Sequence, residues 1–534
     1  MPRFLLISLS IDAILDEATI RKRRERLHLM TSGLGLDGAY DATLDRIKGQ
    51  GKGKSALGMV ALMWISHSEH PMRIGELCDA LAVEIGSRDM DCDNIPSEKT
   101  LLASCLGLVT VDESSIVRLV HFTLQEYFNR HSESFKNPHA TMAQVCLTYL
   151  NFDSVNELSP GLDNAPAETR LLQYASSHWG LHARNGLTEG VISLALQLLD
   201  KFGGHVSAKL LLLGGFGEWW GGWLYSEGFT GLHCAAYLGL DEIAVALLGG
   251  VGGCDADMAD GGGRTPLAWA AESGHEGMVK LLLNRKEVNP QSRDNYGQTP
   301  LWYAAKGGHE GIVKLLLDRK EVHPDLRDNI GQTPLLCAAE GGHDGIVKLL
   351  LNRKEVNPDS RDKRGRKPLR FAALRGHEGI VKLLLDRKEV NPGSGDHYNQ
   401  TPLMCAASGG HEGIVKLLLD REEVNPGSRD NIGRTPLHGA AWSGHRGIVK
   451  LLLDRKEVDF DARNHYGRTP LQVASEGGHD GIVKLLQGCV DTESDTETND
   501  APMSCSYIPE SSYDGLTASP LSPQPHCVTP NTLT

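Results

Sequence analysis

The sequence has no Cys-x-x-Cys pair. Its 11 cysteines stand singly, at Cys78, Cys92, Cys105, Cys146, Cys234, Cys254, Cys337, Cys405, Cys489, Cys505 and Cys527, in a chain far too long to need stapling. That is the usage of a reducing compartment. An excess of positive charge is also missing: 54 Lys and Arg against 68 Asp and Glu leave a net −14. This argues against a broad phosphate-binding surface, so nucleic acid is not the default partner. Long apolar runs are absent too. Phe4 to Ile11 is short, is followed at once by Asp12 and lacks a small-x-small cleavage site, so it reads as core helix rather than signal peptide. Leu210 to Gly217 is too short to span a bilayer and is broken by Glu218. A soluble, intracellular protein is expected, cytoplasmic, with a nuclear location left open.

A phosphate-cradling loop is suggested by Gly49-Gln50-Gly51-Lys52-Gly53-Lys54-Ser55, but its spacing fails, since three residues rather than four separate Gly49 from Gly53. The segment in front, Leu44 to Lys48, is a charged amphipathic turn rather than a buried strand. No residue set reads as catalytic. No enzyme activity, cofactor or metal is expected.

What the sequence does contain is a phrase on a fixed beat of 34 residues: Thr265-Pro266-Leu267, Thr299-Pro300-Leu301, Thr333-Pro334-Leu335, Thr401-Pro402-Leu403, Thr435-Pro436-Leu437 and Thr469-Pro470-Leu471. Lys367-Pro368-Leu369 fills the missing beat, and Thr230-Gly231-Leu232 is a degenerate first copy, giving eight. A fixed period in this range means stacked supersecondary units. In Gly297 to Leu317 the unit spells two helices. Thr299 caps the first and Pro300 suits its first position. Gly307-Gly308 supplies a left-handed residue to end it. His309 opens the second, where Ile312, Val313, Leu315, Leu316 and Leu317 form an apolar stripe and Glu310 and Lys314 an i,i+4 pair. Neither helix buries its face alone, so the copies must stack into a solenoid.

These residues resemble the ankyrin repeat, whose Thr-Pro-Leu-His-x-Ala-Ala core stands whole at Thr435 to Ala441, with Gly-His recurring from Gly274-His275 to Gly478-His479. The units are one residue longer than usual, and Asp318 to Pro324 replaces the usual helix-ending glycine segment, so a slightly longer loop between repeats is expected. The recurring His275, His309, His343, His377, His411, His445 and His479 sit about one helix spacing apart, roughly 8–10 Å, too far to share an ion whose ligands lie at about 2 Å. One structural hydrogen bond per repeat is expected of them.

Ahead of the repeats, Ala56 to Asn129 reads as three helices, a hairpin (Leu108 to Val111 and Ile116 to Val120) and a further helix from His121, which is a winged-helix plan. Its wing tip carries Asp112 and Glu113 and its third helix only Lys99, so it reads as a protein-contact or spacer module rather than a DNA reader. Tyr40 to Ile47, Gly107 to Asp112, Arg118 to Phe128 and Tyr174 to Trp179 resemble segments that follow the NACHT ATPase in fungal NOD-like receptor proteins. That resemblance implies a link between a nucleotide-driven switch and partner-sensing repeats, with the ATPase itself expected upstream of Met1, so that the chain is either a standalone product or the distal half of a longer one. Arg21-Lys22-Arg23-Arg24-Glu25-Arg26 reads either as a nuclear-import signal or as a solvated helix face.

The expected fold is therefore mostly α: a helical lead-in (1–48), a winged-helix-like module (49–135), a helical connector (136–227), the ankyrin solenoid (228–488) and a disordered tail (489–534) rich in Ser, Thr, Pro and acidic residues. Trp219, Trp220 and Trp223 are expected to cap the first repeat, and the last repeat is expected to stop at Leu486-Gln487 without a polar capping unit. Comparing the copies separates scaffold positions, which repeat, from loop positions, which vary. The tips carry Tyr296, Ile330, Arg364, Tyr398, Ile432 and Tyr466. The ends of the first helices carry Glu272, Lys306, Glu340, Leu374, Arg375, Ser408 and Trp442. Exposed Tyr, Ile and Trp on a rigid concave edge are hot-spot residue types, so a protein partner is expected at Tyr296, Lys306, Ile330, Arg364, Leu374, Arg375, Tyr398, Ile432, Trp442 and Tyr466. Lys363, Arg364, Arg366, Lys367, Arg370 and Arg375 gather in the fifth copy, as an acidic-partner patch, a second import signal or plain solvated charge. Two functions compete: a receptor-like scaffold or sensor, and a nuclear coregulator acting through a DNA-bound protein.

Overall fold

Each Thr-Pro phrase starts a helix. The computed structural model describes residues 19–24, 36–159, 166, 168–216, 227–250 and 254–494. Over the repeats it shows eight helix pairs, from Gly231–Leu238 with Asp241–Gly249 to Pro470–Glu476 with Asp480–Ser494. Thr299 Oγ1 accepts the Trp302 N–H at 3.2 Å, and Pro300 occupies the first helical position. Lys367 alone among the proline-led copies leaves its helix without a side-chain cap. The first helix ends on left-handed Gly308 (φ +79°), and the second, Glu310–Leu317, buries Ile312, Val313, Leu316 and Leu317. Leu315 is half-buried, and Lys314 Nζ meets Glu310 Oε1 at 2.7 Å.

The exit from the second helix uses no left-handed residue. Asp318 stays in the right-handed region. Arg319 N–H then donates to Leu316 O and Val322 N–H to Arg319 O, so two successive turns bury Val322 and restore the register. The last repeat differs from expectation, because its second helix runs on through Gln487 to Ser494 instead of stopping. No Asp-Arg-Lys-Glu-Val segment follows to turn it.

The winged-helix module is built from α1 (Leu36–Lys48), α2 (Lys52–His67), α3 (Ile74–Ala82), α4 (Glu98–Ser104), β1 (Val109–Val111), β2 (Val117–Leu119) and α5 (Phe122–Arg130). The strands pair antiparallel with Thr110 opposite Arg118, and Arg73 bridges Ile116 at the edge. Lys52 to Ser55 form the first turn of α2, so the Gly-Lys-Ser stretch is helix and not a loop. At the wing tip Asp112 Oδ1 accepts the N–H groups of Ser114 and Ile116, which commits this carboxylate to the turn. Helix α1 is held to α5 by Tyr40 and Thr123 (2.7 Å) and by Arg130 against Asp37 (2.5 Å).

The connector comprises α6 (Pro138–Leu150), α7 (Asp153–Asn156), α8 (Leu172–Asn185), α9 (Glu189–Leu199) and α10 (Val206–Phe216). Buried Asp79 of α3 takes Arg170 through two nitrogens (2.5 and 3.1 Å), tying the module to the segment that enters α8. At the other end the connector closes on the first repeat. A Cβ on Gly180 would lie 2.4 Å from Leu238, and one on Gly231 2.4 Å from Leu199 O. One hydrophobic core therefore continues from Tyr40 to Leu486. Phe4 to Ile11, Trp219, Trp220, Trp223, Glu25-Arg26 and the tail from 495 onward lie outside the described residues.

Candidate functional site

A repeating loop and a repeating histidine build the variable surface. In each loop an aspartate folds the turn: Asp294 Oδ1 accepts the N–H groups of Tyr296 and Gln298 at 2.9 and 2.7 Å. Asp328, Asp362, Asp396 and Asp430 do the same in their copies, and Asn464 does so in the last. The tip residue is left at the crest. Its carbonyl accepts from the next repeat, as Tyr296 O does from Asn329 N–H (2.8 Å), Ile330 O from Lys363, Arg364 O from His397, Tyr398 O from Asn431 and Ile432 O from His465. The tips are thus laced into a row whose backbone is satisfied and whose side chains point outward. Tyr296, Ile330, Tyr398 and Tyr466 are 53 to 64% exposed. Arg364 is exposed and Ile432 half-buried. In the second copy Gly262 holds the tip position, so the row begins at Tyr296.

The histidines fix the second row. His309 Nε2 bonds Glu272 O (2.9 Å), His343 bonds Lys306 O, His377 Glu340 O, His411 Leu374 O, His445 Ser408 O and His479 Trp442 O. One such bond per repeat is what the sequence predicts. The residues whose carbonyls are held are the variable ends of the first helices. Trp442 is 56% exposed. Lys306 lies over the Trp302 ring (4.9 Å), Leu374 is half-buried, and Arg375 reaches Glu340 at 3.2 Å.

The fifth-copy cations are largely paired. Lys367 Nζ is buried against Asp359 (2.5 Å) and Ser394 (2.6 Å), Arg366 meets Asp362 (2.7 Å) and Arg370 meets Asp396 (3.0 Å). Their charge is spent inside the solenoid, and only Lys363 and Arg364 are left exposed without an ion pair of this kind. The sequence reading of a six-residue patch gives way to three projecting side chains, Lys363, Arg364 and Arg375, the last paired at the surface with Glu340.

Two groupings escape the sequence. Buried Arg264 stacks between Trp269 and Tyr303, 4.0 and 4.1 Å from the ring centres, and pairs with Glu272. The second is a histidine cluster at the seam of the winged helix and the connector: His139 Nδ1 lies 2.9 Å from His182 Nδ1, and Tyr174 Oη 2.9 Å from His182 Nε2. Burial pushes His182 down to about 3 and His178 to about 4. Only the i,i+4 spacing of His178 and His182 on α8 is visible in the sequence.

A stack of helix pairs with laced tips and an exposed variable row defines a repeat-type interaction protein. Residues 232–328, 319–396, 388–464 and 424–500 match the ankyrin-repeat family model, together half of the chain, and the chain belongs to the ankyrin-repeat family. Residues 44–141 match the winged helix domain described for GPI inositol-deacylase, a domain found in NACHT-type proteins. No curated protein matches the chain. Ankyrin repeats generally mediate protein–protein interactions. Among the described residues no helix is long and apolar enough to cross a membrane.

Proposed function

We propose that the chain is a non-enzymatic scaffold or sensor that binds another protein through its ankyrin repeats, with the winged helix and connector as the platform that caps the stack. One observation carries this reading: the exposed aromatic side chains among the described residues of the solenoid, Tyr296, Tyr398, Trp442 and Tyr466, all occupy the two variable positions of the repeat, with Ile330 beside them. All but Tyr466 have their carbonyl held by the next copy, and Tyr466 N–H is held by Asn464 within its turn, so little ordering entropy opposes binding there. What disfavours DNA contact at the wing is that its cation, Arg118, is engaged by Asp112 at 3.2 Å, beside Glu113 at the tip. A cytoplasmic location is proposed with it. The coregulator reading draws on Arg21 to Arg24, which sit in a helical turn (20–24) with Arg21, Lys22 and Arg24 exposed.

The test compares affinity capture by the full chain with capture by a variant carrying Tyr296→Ala, Tyr398→Ala, Trp442→Ala and Tyr466→Ala. Loss of a partner by the variant at unchanged thermal unfolding supports the surface. Equal capture refutes it. A captured transcription factor, with the chain found in nuclei, would select the coregulator reading.

A further inference from the structure

We propose that Glu69, His139 and His182 form a zinc site that pins the winged helix to the connector. The three come from separate elements: Glu69 from the segment just after α2, His139 from the first turn of α6 and His182 from α8. Their ligand atoms all lie within 4.8 Å of one another. His182 Nδ1 stands 2.9 Å from His139 Nδ1 and 4.0 Å from Glu69 Oε1.

The chemistry of the set suits zinc. Two imidazoles and one carboxylate, with a water in fourth place, are a recurrent tetrahedral arrangement. Bonds of about 2.0–2.1 Å put two nitrogens of such an ion about 3.4 Å apart, so the two rings need to part by only about half an ångström. Glu69 has to close by about 0.6 Å on His182 and by up to about 1.4 Å on His139. It can do so, because its side chain is 28% exposed on a connecting segment while His182 is fully buried.

The surroundings supply what a metal-bound imidazole requires. A metal on Nδ1 places the remaining proton on Nε2, where an acceptor must wait. Tyr174 Oη is there at 2.9 Å, and Tyr174 is itself held in the core edge-on to Trp64 (5.9 Å between rings). Without metal the same atoms make a different chain: Tyr174 O–H donates to His182 Nε2, and His182 Nδ1–H donates to His139 Nδ1. The pair can thus switch tautomer without losing a partner. A cleft of about 400 Å³, lined by Ser132, Phe135, Asn137, Asn185 and Thr188 among others, reaches His139. The arrangement differs from the histidines of the repeats, each of which bonds a carbonyl of the copy before it.

The experiment strips the full-length protein with EDTA and titrates it with Zn2+ against a chromophoric chelator, beside Glu69→Gln, His139→Gln and Tyr174→Phe. Stoichiometric uptake of one ion per chain is expected. Tyr174→Phe, which removes the acceptor from His182 Nε2, should weaken binding about 10–100-fold, and Glu69→Gln and His139→Gln, which remove a ligand, should weaken it at least as much. Zn2+ should also raise the unfolding midpoint of the parent but not of His139→Gln. Because substitutions near a core can disturb folding, the parent alone supplies a second reading by Co2+ absorption. Tetrahedral d–d bands without sulfur charge transfer are expected. Absence of stoichiometric uptake, uptake unchanged in folded Glu69→Gln and His139→Gln, or a thiolate band pointing to cysteine would overturn the site.

Discussion

The Gly-His pair does its work between copies rather than within one. Gly308 is left-handed at φ +79°, and a Cβ there would lie 2.6 Å from the His343 ring of the following copy. Gly308→Ala should therefore cost about 1–3 kcal/mol, combining backbone strain with a displaced ring. Gly481→Ala is its counterpart in the same solenoid. That glycine is helical and its Cβ would meet only Arg446 Cδ at 4.0 Å, so the substitution should stabilise by about 0.5–1 kcal/mol. Urea unfolding of both variants checks the opposite signs. Protonation acts on the same scale. Burial pushes His275 and His233 each down to about 4. Both lie below the unfolded value of about 6.5, so the unfolded chain binds more protons in between. The stability these rings contribute is complete above about 6.5 and is lost as the pH falls toward 4. The urea midpoint should fall across that window, less steeply in His275→Gln; a midpoint flat from pH 7 to 4.5 would refute the assignment. The glycine and the structural histidine were legible because both recur in one unit. Their mutual contact was not, because it joins residues of successive units.

At the level of the element, the fifth copy shows how a repeat survives a broken rule. The threonine that caps the other proline-led first helices is missing at Lys367, and no side-chain cap replaces it. Lys367 instead turns inward to Asp359 and Ser394, with its side chain 4% exposed. Removing one partner leaves the other charge half-buried and uncompensated, so Lys367→Met should cost about 2–4 kcal/mol. The two following copies carry glycine where Asp359 stands, at Gly393 and Gly427, whereas the copy before carries Asp325. The double variant Asp359→Gly/Lys367→Thr restores both the cap and the neutral loop, and should unfold within about 1 kcal/mol of the parent. A double-mutant cycle measures this; additive single effects would mean that the pair is not coupled. The sequence marked Lys367 as a departure but suggested an outward basic patch. Charge clustering along the chain says nothing about which carboxylates of adjacent loops fold onto it, and Asp359, Asp362 and Asp396 do so here. The helix boundaries of the repeats were readable to within a residue or two because capping chemistry is local. The run-on of the last helix to Ser494 was missed, since a stop was assumed where the repeat phrase ended.

Across the whole molecule, stability passes from copy to copy through contacts between neighbours, and the connector takes the place of a copy before the first. Helices α8 and α9 meet Gly231–Leu238 closely enough that Gly180 and Gly231 have room for no side chain. The three tryptophans that the sequence suggests for this capping role lie outside the described residues; among those described, the cap is made by ordinary apolar helices, whose packing onto a repeat carries no recurring signature. A solenoid with nearest-neighbour coupling responds locally to damage at one end. Gly180→Val would drive a branched side chain into Leu238, which already lies 2.4 Å from the position of a Cβ. Amide exchange should then speed up over 231–249 and, more weakly, over 266–283, while 368–385 and 402–419 keep the protection they have in the parent. If exchange instead rises evenly along all eight copies, the solenoid melts as one unit with its platform. Binding at the tip row would then be felt at the winged helix, which a stack of loosely coupled copies would not transmit.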